Sequence, residues 1–107
     1  MKLVIGIINS DDANDLLAEI TKASFQATKL STSGGFLKMG NVTVLVGVED
    51  EKVDDVIRII GEHSQKRTEI VPSTVMYGIG VSTSIPLEVT VGGATIFVLD
   101  VDRFEKA

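Results

Sequence analysis

The chain has no cysteine and no tryptophan, and its 107 residues include one histidine, one tyrosine and two prolines. Without cysteine it forms no disulfide, thiolate nucleophile or cysteine zinc site, and the cytoplasm is the expected compartment. One histidine and no cysteine also argue against a transition-metal site. The apolar run Leu3–Ile8 is too short for a signal peptide or a membrane span, so the sequence predicts no membrane association.

Length and charge narrow the possibilities further. A chain of this size predicts one domain, covering residues 1–107, and its net charge of −5 argues against binding to a nucleic-acid polymer. Residues 20–48 nevertheless contain no acidic residue and carry Lys22, Lys29 and Lys38. A small anion would be drawn to this acid-free segment, although chance clustering of lysines on a solvated surface would give the same pattern.

Apolar periodicity predicts strands that alternate with two amphipathic helices. The helices are expected to begin at Ser10–Asp12, which offer N-caps, and at Glu49, and to end near Ser24 and Gly61. The predicted strands are Lys2–Asn9, Phe25–Ser31, Asn41–Val48, Thr68–Val71, Leu87–Val91 and Ala94–Leu99.

Three connections complete this prediction. Pro72–Pro86 is rich in serine, threonine and glycine and is expected to be a long loop. Gly92-Gly93 predicts a hairpin turn or bulge between the last two strands. A final helical turn through Phe104 is expected after Asp100 or Asp102.

This order of elements predicts an α+β fold, a ferredoxin-like βαββαβ sandwich with an antiparallel sheet and both helices on one face. Lys2–Asn9 and Asn41–Val48 are apolar on both sides, but two helices cover only one face of a sheet. The other face is therefore expected to be buried by self-association.

Acidic residues crowd the start of both predicted helices, at Asp11–Asp15 and at Glu49–Asp55. Carboxylates in pairs can hold Mg²⁺, so a metal-dependent phosphohydrolase using Asp54 and Asp55 is one hypothesis. Acidic residues also stabilise helix N-termini. The one histidine, His63, falls at the end of the second predicted helix and accompanies neither cluster. We therefore expect no enzyme, no catalytic residue, no metal and no cofactor.

The segment Ser33–Asn41 combines three glycines with Phe36, Lys38 and Asn41. Glycine lets a backbone approach another group closely, and the three side chains offer a flat apolar face, a positive charge and a two-way hydrogen bond. Such a loop suits a small anionic ligand that contains a ring. A tight connection between strands would use the same residues.

Several motifs in order resemble the PII-like cyclic-di-AMP receptor proteins, over almost the whole chain. They are Lys29-Leu30, Thr32-x-Gly34-Gly35-Phe36-Leu37-Lys38-x-Gly40-Asn41, Gly47-x-Glu49-Asp50, Gln65-Lys66-Arg67 and Val91-Gly92-Gly93-Ala94-Thr95-x-Phe97-Val98-Leu99. The resemblance implies a homotrimeric signal-transduction protein that binds cyclic-di-AMP between neighbouring subunits and passes the signal to another protein. The implied ligand contacts are Thr28, Gly35, Phe36, Leu37, Asn41, Gly47 and Phe97.

Gln26 departs from the family pattern, because the family typically has an arginine there that contributes to the ligand site. Glutamine supplies no charge to a phosphate, and charged hydrogen bonds are the stronger ones. An alternative is therefore a PII-like trimer that senses a different nucleotide or another small anion.

Overall fold

The computed structural model describes residues 1–30, 40–77 and 81–107, with residues 71–77 and 81–87 described by their backbone alone. The two α-helices are α1 (Ser10–Lys22) and α2 (Val53–Glu62), and a short 3-10 turn at Asp50–Lys52 precedes α2. The strands are β1 (Lys2–Asn9), β2 (Ala27–Leu30), β3 (Asn41–Val48), β4 (Arg67–Tyr77), β5 (Val81–Val91) and β6 (Ala94–Asp100).

The main sheet has four antiparallel strands in the order β2-β3-β1-β6, which is consistent with a ferredoxin-like arrangement. The α+β prediction with two helices and an antiparallel sheet is confirmed. The predicted bounds of β1 and β3 are confirmed to the residue, because each consists mainly of β-branched and other apolar residues, which favour strands. The glycine-containing loop predicted within Ser33–Asn41 lies mostly outside the described residues.

The hydrophobic core lies between the two helices and one face of this sheet. Val4 and Ile8 of β1 are buried against Leu16 and Ile20 of α1 and Ile60 of α2. Since side chains alternate along a strand, Ile5 and Ile7 of β1 point to the opposite face.

Helix α1 begins one residue earlier than expected. The N-cap is Asn9, whose side-chain oxygen accepts a 2.8 Å hydrogen bond from the Asp11 amide, so the prediction of a cap at Ser10–Asp12 is wrong. Asparagine is among the best N-cap residues, but its position at the end of an apolar strand concealed this role. His63 is the C-cap of α2, as its place at a helix end suggested.

The prediction of a long loop at Pro72–Pro86 is wrong. Most of it belongs to β4 and β5, which pair in an antiparallel two-stranded sheet, here called the arm, in which Pro72 lies opposite Pro86. Proline removes a donor from a strand and is tolerated on edge strands. Both strands of a two-stranded sheet are edges, so the prolines do not prevent the pairing.

The prediction of a hairpin between the last two strands is also wrong. Strand β6 pairs with β1, whereas β5 pairs with β4. Gly92 and Gly93 both have positive φ, 83° and 80°, and redirect the chain from the arm into the main sheet. No helix follows Asp100 in the described residues to 107, so the predicted final helical turn is absent.

Candidate functional site

The face of the main sheet opposite the helices carries a set of apolar side chains that the chain itself does not bury. Phe97 is 51% exposed and Leu99 is 49% exposed on β6, and Leu30 is exposed on β2. The strand register aligns Thr28, Leu45, Ile5 and Phe97 in one row across this face. We call it the open face.

A large groove of about 830 Å³ lies at the end of the sheet where β3 finishes and β1 begins. Gly47 and Leu45 of β3 contribute to its lining, together with Thr28 of β2 and Gln26 just before that strand. The turn after α1, the 3-10 turn and the C-terminal segment complete it through Ser24, Phe25, Glu49, Lys52, Val101, Phe104 and Lys106, with Met1, Leu3 and Val48 as the remaining lining residues.

The absence of a side chain at Gly47 keeps part of this groove open. The nearest heavy atom to a Cβ built there is the terminal methyl of Met1, at 3.3 Å. Gly47 is exposed, and no other atom of the described residues lies within 4 Å of that Cβ position, so the groove allows a ligand to approach the backbone of β3 closely.

Charged groups surround the large groove. Lys52 and Lys106 line it with Glu49, while the amino group of Met1 pairs with Asp50 at 2.9 Å. Through a hydrogen bond, this pair raises the pKa of the amino group and lowers the pKa of Asp50. Both partners of the pair are therefore charged at neutral pH and largely cancel one another.

A small groove of about 240 Å³ lies at the other end of the sheet, where α1 begins and the arm joins the fold. Asn41 lines it beside Asn9, Lys66 and the two glycines Gly92 and Gly93. The Gly93 amide donates a hydrogen bond to the Ser64 carbonyl oxygen. The lining is mostly polar and includes both strand connections at the base of the arm.

Arg67 anchors the arm to α1. Its guanidinium reaches Asp12 through two contacts, of 3.1 Å to Oδ1 and 3.2 Å to Oδ2, and lies 3.5 Å from Glu69. The hydrogen bond to Asp12 raises the pKa of Arg67 above its ordinary value. A forked pair of this kind fixes direction as well as distance, so it orients the start of β4.

The structure separates the predicted contact residues into groups. Gln26, Thr28 and Gly47 share the large groove, whereas Asn41 lines the small one. Asn41 and Gly47 are six residues apart on one strand, about 20 Å at the usual rise per residue. Phe97 lies on the opposite edge strand and lines neither groove.

The remaining predicted contacts, Gly35, Phe36 and Leu37, lie outside the described residues. Sequence reasoning also missed groove residues: Lys52, Phe104 and Lys106. Lys52 follows Gly47 by five positions and is detectable once the end of β3 is known. The C-terminal pair carries no local signal, because only the folded chain brings it to β3.

The acidic residues take the places expected of helix N-termini. Asp11 and Asp12 lie in the first turn of α1, and Asp54 and Asp55 in that of α2. Among the described residues, no three histidine, aspartate or glutamate side chains come together as a metal site would require. The helices of the described segments all fall short of the length and apolarity needed to cross a membrane.

Comparison with known proteins agrees with the motifs. The chain is similar to a crystal structure described as a functionally unknown protein from Pediococcus pentosaceus ATCC 25745, with 43% identity and a TM-score of 0.74. The similarity covers 99% of this chain and 96% of that one. The family model described as the cyclic-di-AMP receptor matches residues 1–107. The chain therefore belongs to the cyclic-di-AMP receptor family.

Proposed function

We propose that this protein is a non-enzymatic cytoplasmic receptor that binds cyclic-di-AMP in clefts between the subunits of a homotrimer. Family membership over residues 1–107 supports the ligand. The open face supports the assembly, because Phe97 and Leu99 are about half exposed there and contiguous apolar surface of this kind is typical of protein interfaces.

One geometrical observation carries the intersubunit part of the proposal. Thr28 and Phe97 belong to the same row of the open face, but β2 and β6 are its two edge strands. Three interstrand spacings separate them, about 14 Å. A single base or phosphate is too small to contact both, so a contact of that kind needs Thr28 from one copy and Phe97 from its neighbour.

The side chains suit an adenine dinucleotide. Phe97 offers a ring for an adenine face, and base–aromatic stacking is worth roughly 1–3 kcal/mol per base. Asn41 offers both a donor and an acceptor to an adenine edge, and the Thr28 hydroxyl can donate to a phosphate oxygen. Phe36 and Leu37 would pack on the second base, as the family resemblance implies.

The proposed output is a change in the population of loop conformations, with no chemical step. Asn41 shares the small groove with Lys66, Gly92 and Gly93 at the base of the arm. A ligand that contacts Asn41 would thus influence both the segment before it, residues 31–39, and the direction of the arm. A downstream protein would read that surface.

A different nucleotide is the second candidate, and one observation favours it. Gln26 lines the large groove beside Thr28 and Gly47 and carries no charge. A thermal-shift screen of cyclic dinucleotides and mononucleotides separates the two candidates. Stabilisation by cyclic-di-AMP above the others supports the first, and stabilisation by a mononucleotide alone supports the second.

The variant Asn41→Ala tests the proposed contact. We expect it to weaken cyclic-di-AMP binding, measured by isothermal titration, while sedimentation equilibrium still reports three copies per particle. Asn14→Ala is the matched control, since Asn14 is exposed on α1, away from both grooves. Parent-like affinity of Asn41→Ala would contradict the assigned contact, and a monomeric parent would contradict the trimer.

A further inference from the structure

We propose that Lys52 and Lys106 supply the positive charge that binds the two phosphates of the ligand in the large groove. This inference rests on the proposed function, and it assigns two phosphate-binding residues that the sequence motifs do not include. It accounts for the uncharged Gln26 at the same groove.

The first support is location. Lys52 and Lys106 line the groove together with Gln26, Thr28 and Gly47. They reach it from separate parts of the chain, the 3-10 turn after β3 and the C-terminal segment. The Val101 amide donates a 3.2 Å hydrogen bond to the Met1 carbonyl oxygen, which holds that segment beside β1.

The second support is that both cations are available. Lys2 is paired with Asp100, and Lys22 lies 3.4 Å from Glu19. By contrast, neither Lys52 nor Lys106 has a carboxylate within 4.0 Å among the described side chains. A cation without a partner gains more from a phosphate, because it gives up no existing ion pair.

The balance of charge in the groove favours an anion with more than one negative charge. Glu49 opposes the two lysines, and the Met1–Asp50 pair is internally neutral. Two lysines against one glutamate leave a positive groove in a chain whose net charge is −5. A cyclic dinucleotide carries one negative charge on each of two phosphodiesters, so each lysine can meet one of them.

Phe104 adds a flat apolar surface to the same wall. It lines the groove and is 60% exposed, an unusual degree of exposure for a large aromatic side chain. A ring two residues from Lys106 allows one short segment to contact a base and the phosphate next to it. An aromatic ring beside a positive charge favours a nucleotide over inorganic phosphate.

The test measures cyclic-di-AMP binding by isothermal titration, at low and high salt, for the parent, Lys52→Gln, Lys106→Gln, their double variant and one control variant. Lys52→Gln and Lys106→Gln should each weaken binding about two- to fivefold, the range for exposed ion pairs, and the double variant about tenfold. Arg58→Gln is the control, because Arg58 is exposed on α2 and lines neither groove, and this substitution also removes one positive charge. It should bind like the parent.

Salt provides a second readout. Screening weakens exposed charge pairs, so parent affinity should fall between 50 mM and 500 mM sodium chloride, and the double variant should respond less. Equal loss of affinity in Arg58→Gln, or a double variant with parent affinity and salt response, overturns the assignment of the lysines while leaving the receptor proposal standing. A parent that binds no cyclic-di-AMP overturns both.

Discussion

Alanine at Gly47 adds one methyl group to the lining of the large groove. The new Cβ would lie 3.3 Å from the terminal methyl of Met1, which is the end of a flexible side chain and can move by a few tenths of an ångström. Glycine in a strand costs roughly 0.5–1 kcal/mol relative to alanine. We therefore expect the variant to be as stable as the parent, or more stable by less than about 1 kcal/mol.

The same methyl group should impair ligand binding. Forcing extra volume into a well-packed contact costs about 1–3 kcal/mol, which corresponds to a roughly 5- to 150-fold loss of affinity. Isothermal titration with cyclic-di-AMP measures the affinity, and urea unfolding measures the stability. The expected signature is normal stability with weakened binding.

Gly61→Ala is the matched control for Gly47→Ala. Gly61 is an exposed helical glycine, and a Cβ there meets no atom of the described part of the chain within 4 Å. This control should gain about 0.5–1 kcal/mol of stability and bind like the parent. If Gly47→Ala binds with parent affinity, the large groove is not the ligand site. If it unfolds, the reasoning about the Met1 contact is wrong.

Three further predictions concern the arm, the amino terminus and the groove. Gly92→Ala should lose about 2–4 kcal/mol in urea unfolding, because its φ is 83° and its Cβ would overlap the Gln65 carbonyl oxygen. Asp50→Asn should lower thermal stability chiefly between about pH 4 and pH 8, by removing the pair with Met1. Gln26→Arg should tighten cyclic-di-AMP binding in titration, because a guanidinium forms forked bonds with phosphate.

The pH prediction has a defined sign. The lowered pKa of Asp50 means that its contribution is complete above the ordinary carboxyl value of about 4 and is lost as pH falls through the lowered pKa. The raised pKa of the amino group means that its contribution is complete below about 8 and is lost as pH rises through the raised pKa. Parent and Asp50→Asn should therefore differ most between these limits.

One outcome would contradict each of these three predictions. Parent-like stability of Gly92→Ala would mean that the base of the arm does not hold this glycine against Gln65. If the difference in thermal stability between parent and Asp50→Asn is the same from pH 2 to pH 10, the Met1 pair is not its cause. Weaker binding by Gln26→Arg would show that phosphate does not lie near that position.

The strands of the main sheet were the most predictable part of the fold. Lys2–Asn9 and Asn41–Val48 consist mainly of β-branched and other apolar residues, so local residue preference and burial agree. The arm was not predictable by the same means, because Pro72–Pro86 has the composition of a loop and forms strands only through pairing across the hairpin. Pairing is a property of the two segments together, so the composition of either one alone does not show it.

The site divides in a similar way. Motif resemblance pointed to Gln26, Thr28 and Gly47, which share one groove. Composition could not have found Lys106, since its part in that groove depends on the C-terminal segment returning to β1. The separation of Thr28 from Phe97 across the open face also depends on the strand order, which only the three-dimensional structure gives.

The most direct test of the central claim is isothermal titration of cyclic-di-AMP into the unmodified protein. The proposed clefts between neighbouring subunits predict saturable heat with one ligand bound per chain. Absence of heat at high micromolar protein, with the protein folded and assembled, would contradict the proposal that this chain binds cyclic-di-AMP.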